Sequence, residues 1–350
     1  MKKFIVSNKS TIKDCLSKMN RNRKSFLIVL DSNKKVLGTF TMGDFRHALY
    51  NGAKFNSYIT KYYNKNPKIL IKNKNSDNLA KNFFLNNNNL VLPLISNNKK
   101  LVELIFREDV FLSTKKKYPR LSIPLVIMAG GKGTRLKPFS DILPKALIPL
   151  NKKTVLENII EKFISYGINK IFVITNHKSD IIKSYFKEKK INAKIQFIKE
   201  KKELGTAGGL YLLKTKIKGN FFLTNCDVLH DFNYNDFIKF HEINNFSISL
   251  IGSLKTYSLP YGICKLDKKG ILRELNEKPN YDITINTGLY LLNKNILKII
   301  PKNKFFLVTD MIKKAKSLKK KVGVFPINDS EWHDVGQWNE FQKARNFLGE

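Results

Sequence analysis

The stretch Ile123-Pro124-Leu125-Val126-Ile127-Met128-Ala129-Gly130-Gly131-Lys132-Gly133-Thr134-Arg135-Leu136-Lys137-Pro138 decides the fold. Seven residues without a charge run straight into three glycines. A short continuous apolar run ended by glycine predicts a strand buried on both faces, over Ile123–Ala129, as in a parallel sheet. Pro124 falls near its start, where a strand tolerates proline. Working outward, Val155, Leu156, Ile159, Ile160, Phe163 and Ile164 share one face of a helix. Ile171–Thr175, Ile195–Ile198 and Phe221–Thr224 read as further buried strands. Alternating strand and helix predicts an α/β fold with a doubly wound, mostly parallel, Rossmann-like sheet. Ligands in such a sheet bind at the carboxyl ends of the strands.

The glycines after the first strand let the backbone approach a ligand and aim N–H groups at phosphate oxygens. Arg135 adds a planar fork of donors suited to the same oxygens. The loop is not a Walker A loop, because no Gly-Lys-Ser/Thr follows. It is not G-x-G-x-x-G either, since Leu136 stands where the last glycine would fall. Downstream, Leu143-Pro144-Lys145-Ala146-Leu147-Ile148-Pro149 places a lysine after a proline. Asp227 follows the strand Phe221–Thr224, where a carboxylate is well placed to hold a cation. Asp334 lies in Trp332-His333-Asp334-Val335-Gly336, and Glu203-Leu204-Gly205-Thr206-Ala207-Gly208-Gly209 is a second glycine-rich loop opening a helix. Cys226 reads as a small buried side chain.

Together, G-G-x-G-T-R-L-x-P and the following P-K closely resemble the nucleotidyltransferases that make nucleotide sugars, over most of residues 122–350. The resemblance implies that Ala129, Gly130, Gly131, Gly133, Thr134, Asn176, Gly205 and Thr206 contact the nucleotide. It implies that Arg135, Lys145 and Asp227 are catalytic, and that Asp227 and Asp334 bind Mg²⁺ as a hard-oxygen pair. Tyr261-Gly262, Asn276-Glu277-Lys278-Pro279 and Asn286-Thr287-Gly288 resemble the family's sugar-phosphate side. There Gly262, Glu277, Lys278, Asn286 and Gly288 would meet the sugar 1-phosphate. A solvated Glu-Lys turn is the competing reading of Glu277 and Lys278.

Residues 1–118 contain two units of one design, offset by about 65 residues. Helix Thr11–Met19, strand Ser25–Leu30, turn Asp31–Lys35, strand Val36–Thr41 and a helix from Gly43 form the first. Helix Ser76–Leu85, strand Leu90–Ile95, turn Ser96–Lys100, strand Leu101–Phe106 and a helix from Arg107 form the second. The pair resembles a tandem cystathionine-β-synthase (CBS) module of α+β type. Gly38-Thr39-Phe40-Thr41-Met42-Gly43-Asp44 matches that family's G-x-x-T-x-x-D close. The resemblance implies a regulatory nucleotide held by Thr41, Asp44 and Asp109, although Phe106 replaces the second threonine; a structural or dimerising role is the alternative. Polar, basic Ser113–Arg120 is expected to link this module to the catalytic domain at 122–350.

The chain has 350 residues and a formal charge of +36. Its lysines are spread rather than gathered, which fits a Lys- and Asn-rich, A+T-biased genome better than a nucleic-acid binder. The sign also suits an anionic substrate. Three scattered cysteines indicate neither a disulfide framework nor a zinc site, and no apolar run approaches membrane-spanning length. No nucleic-acid or membrane partner and a cytoplasmic location are therefore expected, with a homo-oligomer left open. The whole arrangement resembles the glucosamine-1-phosphate guanylyltransferases of bacterial legionaminic acid synthesis. Mannose- or heptose-1-phosphate guanylyltransferases and uridylyl- or thymidylyltransferases are the alternatives, with a non-catalytic nucleotide-sensing subunit more remote.

Overall fold

The computed structural model describes residues 2–22, 24–73, 75–87, 91–106, 110, 121 and 123–347. The chain divides into two compact units, Met1–Lys116 and Lys117–Glu350.

The front unit holds two copies of one motif. In the first, Ile5–Ser7 pairs parallel with Phe26–Leu30, which pairs antiparallel with Val36–Thr41. In the second, Leu70–Ile71, Val91–Ile95 and Leu101–Phe106 repeat that order. The copies match to the residue. Phe26 faces Thr41 as Val91 faces Phe106, and the register slips at Val29/Leu30 and again at Leu94/Ile95. Phe4, Phe26, Ile28, Leu30 and Leu104 form an apolar cluster shared by the two copies. Neither copy buries its sheet face alone, so each supplies the other's cover. The helix expected from Arg107, with Asp109, falls mostly outside the described residues, as does the link expected at Ser113–Arg120.

The second unit is built on a seven-stranded sheet. In spatial order its strands are Lys194–Lys199, Lys170–Thr175, Leu125–Ala129, Phe221–Asn225, Asn280–Leu292, Ile248–Ser258 and Val322–Asn328. Four pairings are parallel. The two made by Asn280–Leu292 are antiparallel. Leu125–Ala129 is central and buried throughout. Leu125, Ile127 and Ala129 enter one apolar layer, and Val126 and Met128 the other. A strand covered on both faces has no position for a polar side chain, which is why this run is continuously apolar.

Two strand expectations are corrected. The central strand starts at Leu125, two residues later than the apolar run suggests. Pro124 has no N–H to donate, and its carbonyl instead accepts from Phe222 N–H at 2.9 Å. Lys194–Lys199 is not fully buried, because it is the edge of the sheet; each of its residues is exposed or half-buried.

The helix Val155–Ser165 packs Val155, Leu156, Ile159, Ile160 and Phe163 onto the sheet. Each such burial is worth about 1.5–3 kcal/mol. A capping box starts it: Thr154 Oγ1 accepts from Glu157 N–H, and Glu157 accepts from Thr154 N–H at 2.7 Å. Tyr185 Oη also donates to Glu157 at 2.6 Å, and Lys189 Nζ stands 2.9 Å from it. Burial opposes the charged form, but these donors together outweigh it and hold the Glu157 carboxyl down at about 2. A depressed carboxyl stabilises the fold above its unfolded value of 4.5, and that stability is lost as pH falls towards 2. Glu157→Gln is therefore expected to lose up to about 3 kcal/mol at pH 7, with the gap from the parent closing between pH 4.5 and 2. Denaturant unfolding of both proteins at pH 7, 4 and 2.5 checks this; a gap that stays constant contradicts it.

No helix among the described residues is long and apolar enough to cross a membrane. Cys15 and Cys226 are buried and Cys264 is exposed, all three as free thiols.

Candidate functional site

The glycine loop leaves the central strand at Ala129 and closes with the single turn Thr134–Leu136. Gly133 has φ +70°, and a Cβ there would lie 2.9 Å from Lys145 Cβ. Hand and space both require glycine, because the loop folds directly over Lys145. Gly131, Thr134 and Arg135 are exposed along the loop, while Ala129 is buried beneath it.

Lys145 begins the turn Lys145–Leu147, and its Nζ donates to Asp227 Oδ2. Both side chains are about a tenth exposed, at 13% and 10%. Asp227 follows Phe221–Asn225 and leads into the short strand Val228–His230. That strand pairs antiparallel with Trp332–Asp334, with Val228 opposite Asp334. Val335 N–H also donates to the Asp227 carbonyl at 2.9 Å. This local pairing brings Asp334 to Asp227 from far along the chain. Asp334 Oδ1 accepts from Gly336 N–H at 2.9 Å.

Gly336 marks the point of convergence. A Cβ on it would lie 2.6 Å from Asp227 Oδ2, 2.8 Å from Asp334 Oδ1 and 2.8 Å from Lys145 Nζ. Two carboxylates and one ammonium thus crowd a pocket that only glycine leaves open. Two hard oxygen donors, one in the turn before Val228–His230 and one at the end of Trp332–Asp334, are the donor set a magnesium ion takes, with phosphate oxygens and waters completing it. Among the described residues no cluster of three or more His, Cys, Asp or Glu is present. A cation here would depend on those additional oxygens. Burial pushes the adjacent Cys226 thiol up to about 12, which leaves it inert as a nucleophile.

A second cluster lies at the carboxyl ends of the strands Lys170–Thr175 and Lys194–Lys199. A Cβ on Gly130 would lie 3.2 Å from both Asn176 Cβ and Glu200 Oε2. Asn176 Nδ2 donates to the Glu200 carbonyl at 3.4 Å. Gly205 has φ +75°, and a Cβ on it would lie 2.9 Å from the Phe306 carbonyl. The helix expected to open there is a single turn, Gly205–Gly208. Thr206 does not cap it: its Oγ1 accepts from Val308 N–H at 3.0 Å, at the start of the helix Val308–Ser317.

The residues assigned to the sugar side form two groups. Gly288 has φ +84°, and a Cβ there would lie 2.7 Å from Asn225 Nδ2, two residues before Asp227. Asn286 Nδ2 donates to Tyr290 Oη at 2.9 Å, and its Oδ1 accepts from Gly288 N–H at 3.2 Å. Between them, buried Thr287 donates to the Ile251 carbonyl at 3.2 Å, so His230 Nε2–H is the donor in their 3.0 Å contact. Burial pushes His230 down to about 3, keeping the ring neutral in that role. Gly262 and Glu277 form the other group, with Glu277 Oε2 2.8 Å from where a Gly262 Cβ would stand. Glu277 and Lys278 are exposed, outside the Lys145–Asp227–Asp334 cluster.

In the front unit, Thr41 and Asp44 meet each other. Thr41 caps the helix Met42–Tyr50, while Asp44 accepts from Thr41 N–H at 2.8 Å and Thr41 Oγ1 at 2.7 Å. Burial raises the Asp44 carboxyl, against the pull of those hydrogen bonds. Asp109 lies outside the described residues.

Sequence reasoning passed over Gly336 and Glu200. The D-x-G spacing contains Gly336 and could have marked it as a close approach. Glu200 sits in Glu200-Lys201-Lys202-Glu203, which reads as solvated charge.

The family model for nucleotidyl transferases matches residues 125–350, and the CBS domain model matches residues 1–51. The bifunctional protein GlmU of Methanococcus maripaludis strain C7 is 30% identical over 233 residues, 64% of this chain and 54% of its own. Mannose-1-phosphate guanyltransferase beta-B of Xenopus laevis is 27% identical over 235 residues, 62% of each chain. The chain thus spans little more than half the length of these curated relatives. Among solved structures, HddC from Yersinia pseudotuberculosis is 26% identical with a TM-score of 0.52, covering 65% of this chain and 99% of that one. Its complex with GMP-PN matches at 25% identity, TM-score 0.50 and the same coverage.

Proposed function

Because the chain belongs to the nucleotidyl transferase family through residues 125–350, we propose that its domain at 122–350 moves a nucleotidyl group from a nucleoside triphosphate to a sugar 1-phosphate. The convergence of Lys145, Asp227 and Asp334 at Gly336, beside the glycine loop, carries this reading. A phosphate oxygen of the sugar 1-phosphate attacks the α-phosphorus in line. The bond to the bridging oxygen of the β-phosphate breaks, and pyrophosphate leaves with that electron pair. The protein contributes positioning and charge rather than a covalent intermediate. Loop N–H groups around Gly131 and Gly133, with Arg135, hold the triphosphate. Lys145 faces the charge that builds on the α-phosphate. Asp227 and Asp334 would hold Mg²⁺, which when bound neutralises phosphate oxygens. Asn176, Gly205 and Thr206 border the nucleoside, and Gly262, Glu277, Lys278, Asn286 and Gly288 the sugar phosphate.

GTP and glucosamine 1-phosphate are the favoured pair, as in bacterial legionaminic acid synthesis. Two relatives, a mannose-1-phosphate guanyltransferase and an HddC complexed with GMP-PN, support a guanosine nucleotide. Mannose- or heptose-1-phosphate is the rival acceptor. Pyrophosphate release across four nucleotides and four sugar 1-phosphates, with and without Mg²⁺, tests the reading. One strong Mg²⁺-dependent combination supports it, and an empty grid from folded protein contradicts it.

The front module at 1–118 is proposed to regulate this domain through a nucleotide near Thr41 and Asp44, and the protein to act in the cytoplasm. Removing residues 1–118 is expected to leave turnover measurable and to abolish any response of the rate to added adenosine nucleotides. A folded fragment with no turnover would assign the front module to the catalytic assembly instead.

A further inference from the structure

The turn that joins the glycine loop to Lys145 is held from outside itself. Phe139–Ile142 is a single helical turn between Arg135 and Lys145. Of its four side chains Ser140 is buried, and its hydroxyl has no hydrogen-bond partner; Phe139 and Ile142 are 49% and 77% exposed. Burial therefore does little to fix this turn. Asp141 pairs with Lys137 at 3.3 Å, but both side chains are more than half exposed, and such pairs contribute little. A firmer tie comes from the neighbouring strand. Lys178, three residues past Lys170–Thr175, donates from Nζ to the Ser140 carbonyl at 3.1 Å and to the Asp141 carbonyl at 2.7 Å. Carbonyls at the end of a helical turn have no partner within it, and a lysine ammonium is a suitable donor to them.

Lys178 is itself set for this reach. Its φ is +53°, a left-handed conformation that lysine rarely adopts. It directly precedes the helix Ser179–Lys187, and the buried Ser179 hydroxyl meets Thr175 Oγ1 at 2.8 Å. The backbone on either side of Lys178 is thus anchored. Strained residues persist where their surroundings over-determine them, and they gather at functional sites. What Lys178 holds lies against the chemistry. A Cβ on Gly133 would lie 3.4 Å from Ser140 Cβ and 2.9 Å from Lys145 Cβ. Gly133, Ser140 and Lys145 meet at one spot, so a shift of Ser140 is passed to both the glycine loop and the lysine. We propose that Lys178 is a positioning residue for nucleotidyl transfer, fixing the spacing between the glycine loop and Lys145 without touching the substrate. The proposal rests on the nucleotidyl-transfer reading above.

Full-length parent, Lys178→Met, Lys178→Gly and Lys178→Arg test it, each assayed with Mg²⁺ and the strongest pair from the pyrophosphate-release grid. Steady-state turnover, calorimetric binding of the triphosphate and thermal unfolding are measured on all four. Lys178→Met and Lys178→Gly are each expected to lower kcat at least about tenfold with triphosphate affinity little changed, since displacements near 1 Å in a positioned site cost about a hundredfold. Glycine takes a φ of +53° without strain, so Lys178→Gly is expected to unfold no earlier than Lys178→Met and yet to be as slow. Lys178→Arg keeps donors on a long stem and is expected to recover most of the lost rate. Weaker triphosphate binding with kcat unchanged would make Lys178 a phosphate contact and overturns the proposal. So does a Lys178→Met or Lys178→Gly variant that turns over as the parent does. A rate loss that only tracks the unfolded fraction of each variant overturns it too, because a purely structural tie behaves in that way. Those three results leave nucleotidyl transfer standing. Folded parent protein that releases no pyrophosphate with any pair overturns both.

Discussion

Asp227→Asn is expected to lower turnover by about a thousandfold or more, with the fold kept. The substitution preserves shape and removes one charge from a site where charge does the chemistry. A metal's Lewis-acid contribution is worth several kcal/mol, and each 1.36 kcal/mol is a factor of ten in rate. Stability should fall much less than for an ordinary buried ion pair. Asparagine keeps an amide oxygen that can still accept from Lys145 Nζ, the donor that pairs with Asp227 in the parent. Turnover measured across a Mg²⁺ titration, beside thermal unfolding of both proteins, separates the two effects. Near-normal Mg²⁺-dependent turnover in the variant would sink the assignment of Asp227.

Gly336→Ala is expected to cost about a hundredfold in turnover through a single methyl group. That methyl would stand 2.6 Å from Asp227 Oδ2 and 2.8 Å from both Asp334 Oδ1 and Lys145 Nζ. All three must move, and displacements near 1 Å in a positioned site cost about that factor. Gly336 lies in the turn after the short strand Trp332–Asp334, outside the seven-stranded sheet, so the melting temperature should change little. A variant as active as the parent would mean that the cluster around Gly336 is not where the reaction occurs.

These residues differ in how far the sequence reveals them. The central strand was legible because burial on both faces excludes polar residues, and Leu125–Ala129 obeys that rule at every position. The edge strand was not. Ile195, Phe197 and Ile198 look as apolar as a central strand, and edge position depends on which strand lies beside which. The front repeat was legible as an offset of about 65 residues, while its exact register and the matching slips emerge only from the strand pairing. Lys145 and Asp227 were singled out through the motifs around them, and the structure brings their side chains together. The adjacency of Asp227 and Asp334 was implied only by resemblance, because it is created by the pairing of Val228–His230 with Trp332–Asp334. Such a short ladder leaves no periodicity to read. Glu200 was hidden for a different reason. A glutamate beside two lysines reads as surface until the backbone bond to Thr175 turns it under two glycines.

The most direct test follows the phosphorus. Full-length protein is incubated with Mg²⁺, a sugar 1-phosphate and GTP labelled at either the α- or the γ-phosphate. Attack at the α-phosphorus predicts that the α-label appears in a nucleotide diphosphate sugar and the γ-label in pyrophosphate, in equal amounts. Release of the γ-label as orthophosphate, or no transfer of the α-label to any sugar tested, would contradict the account.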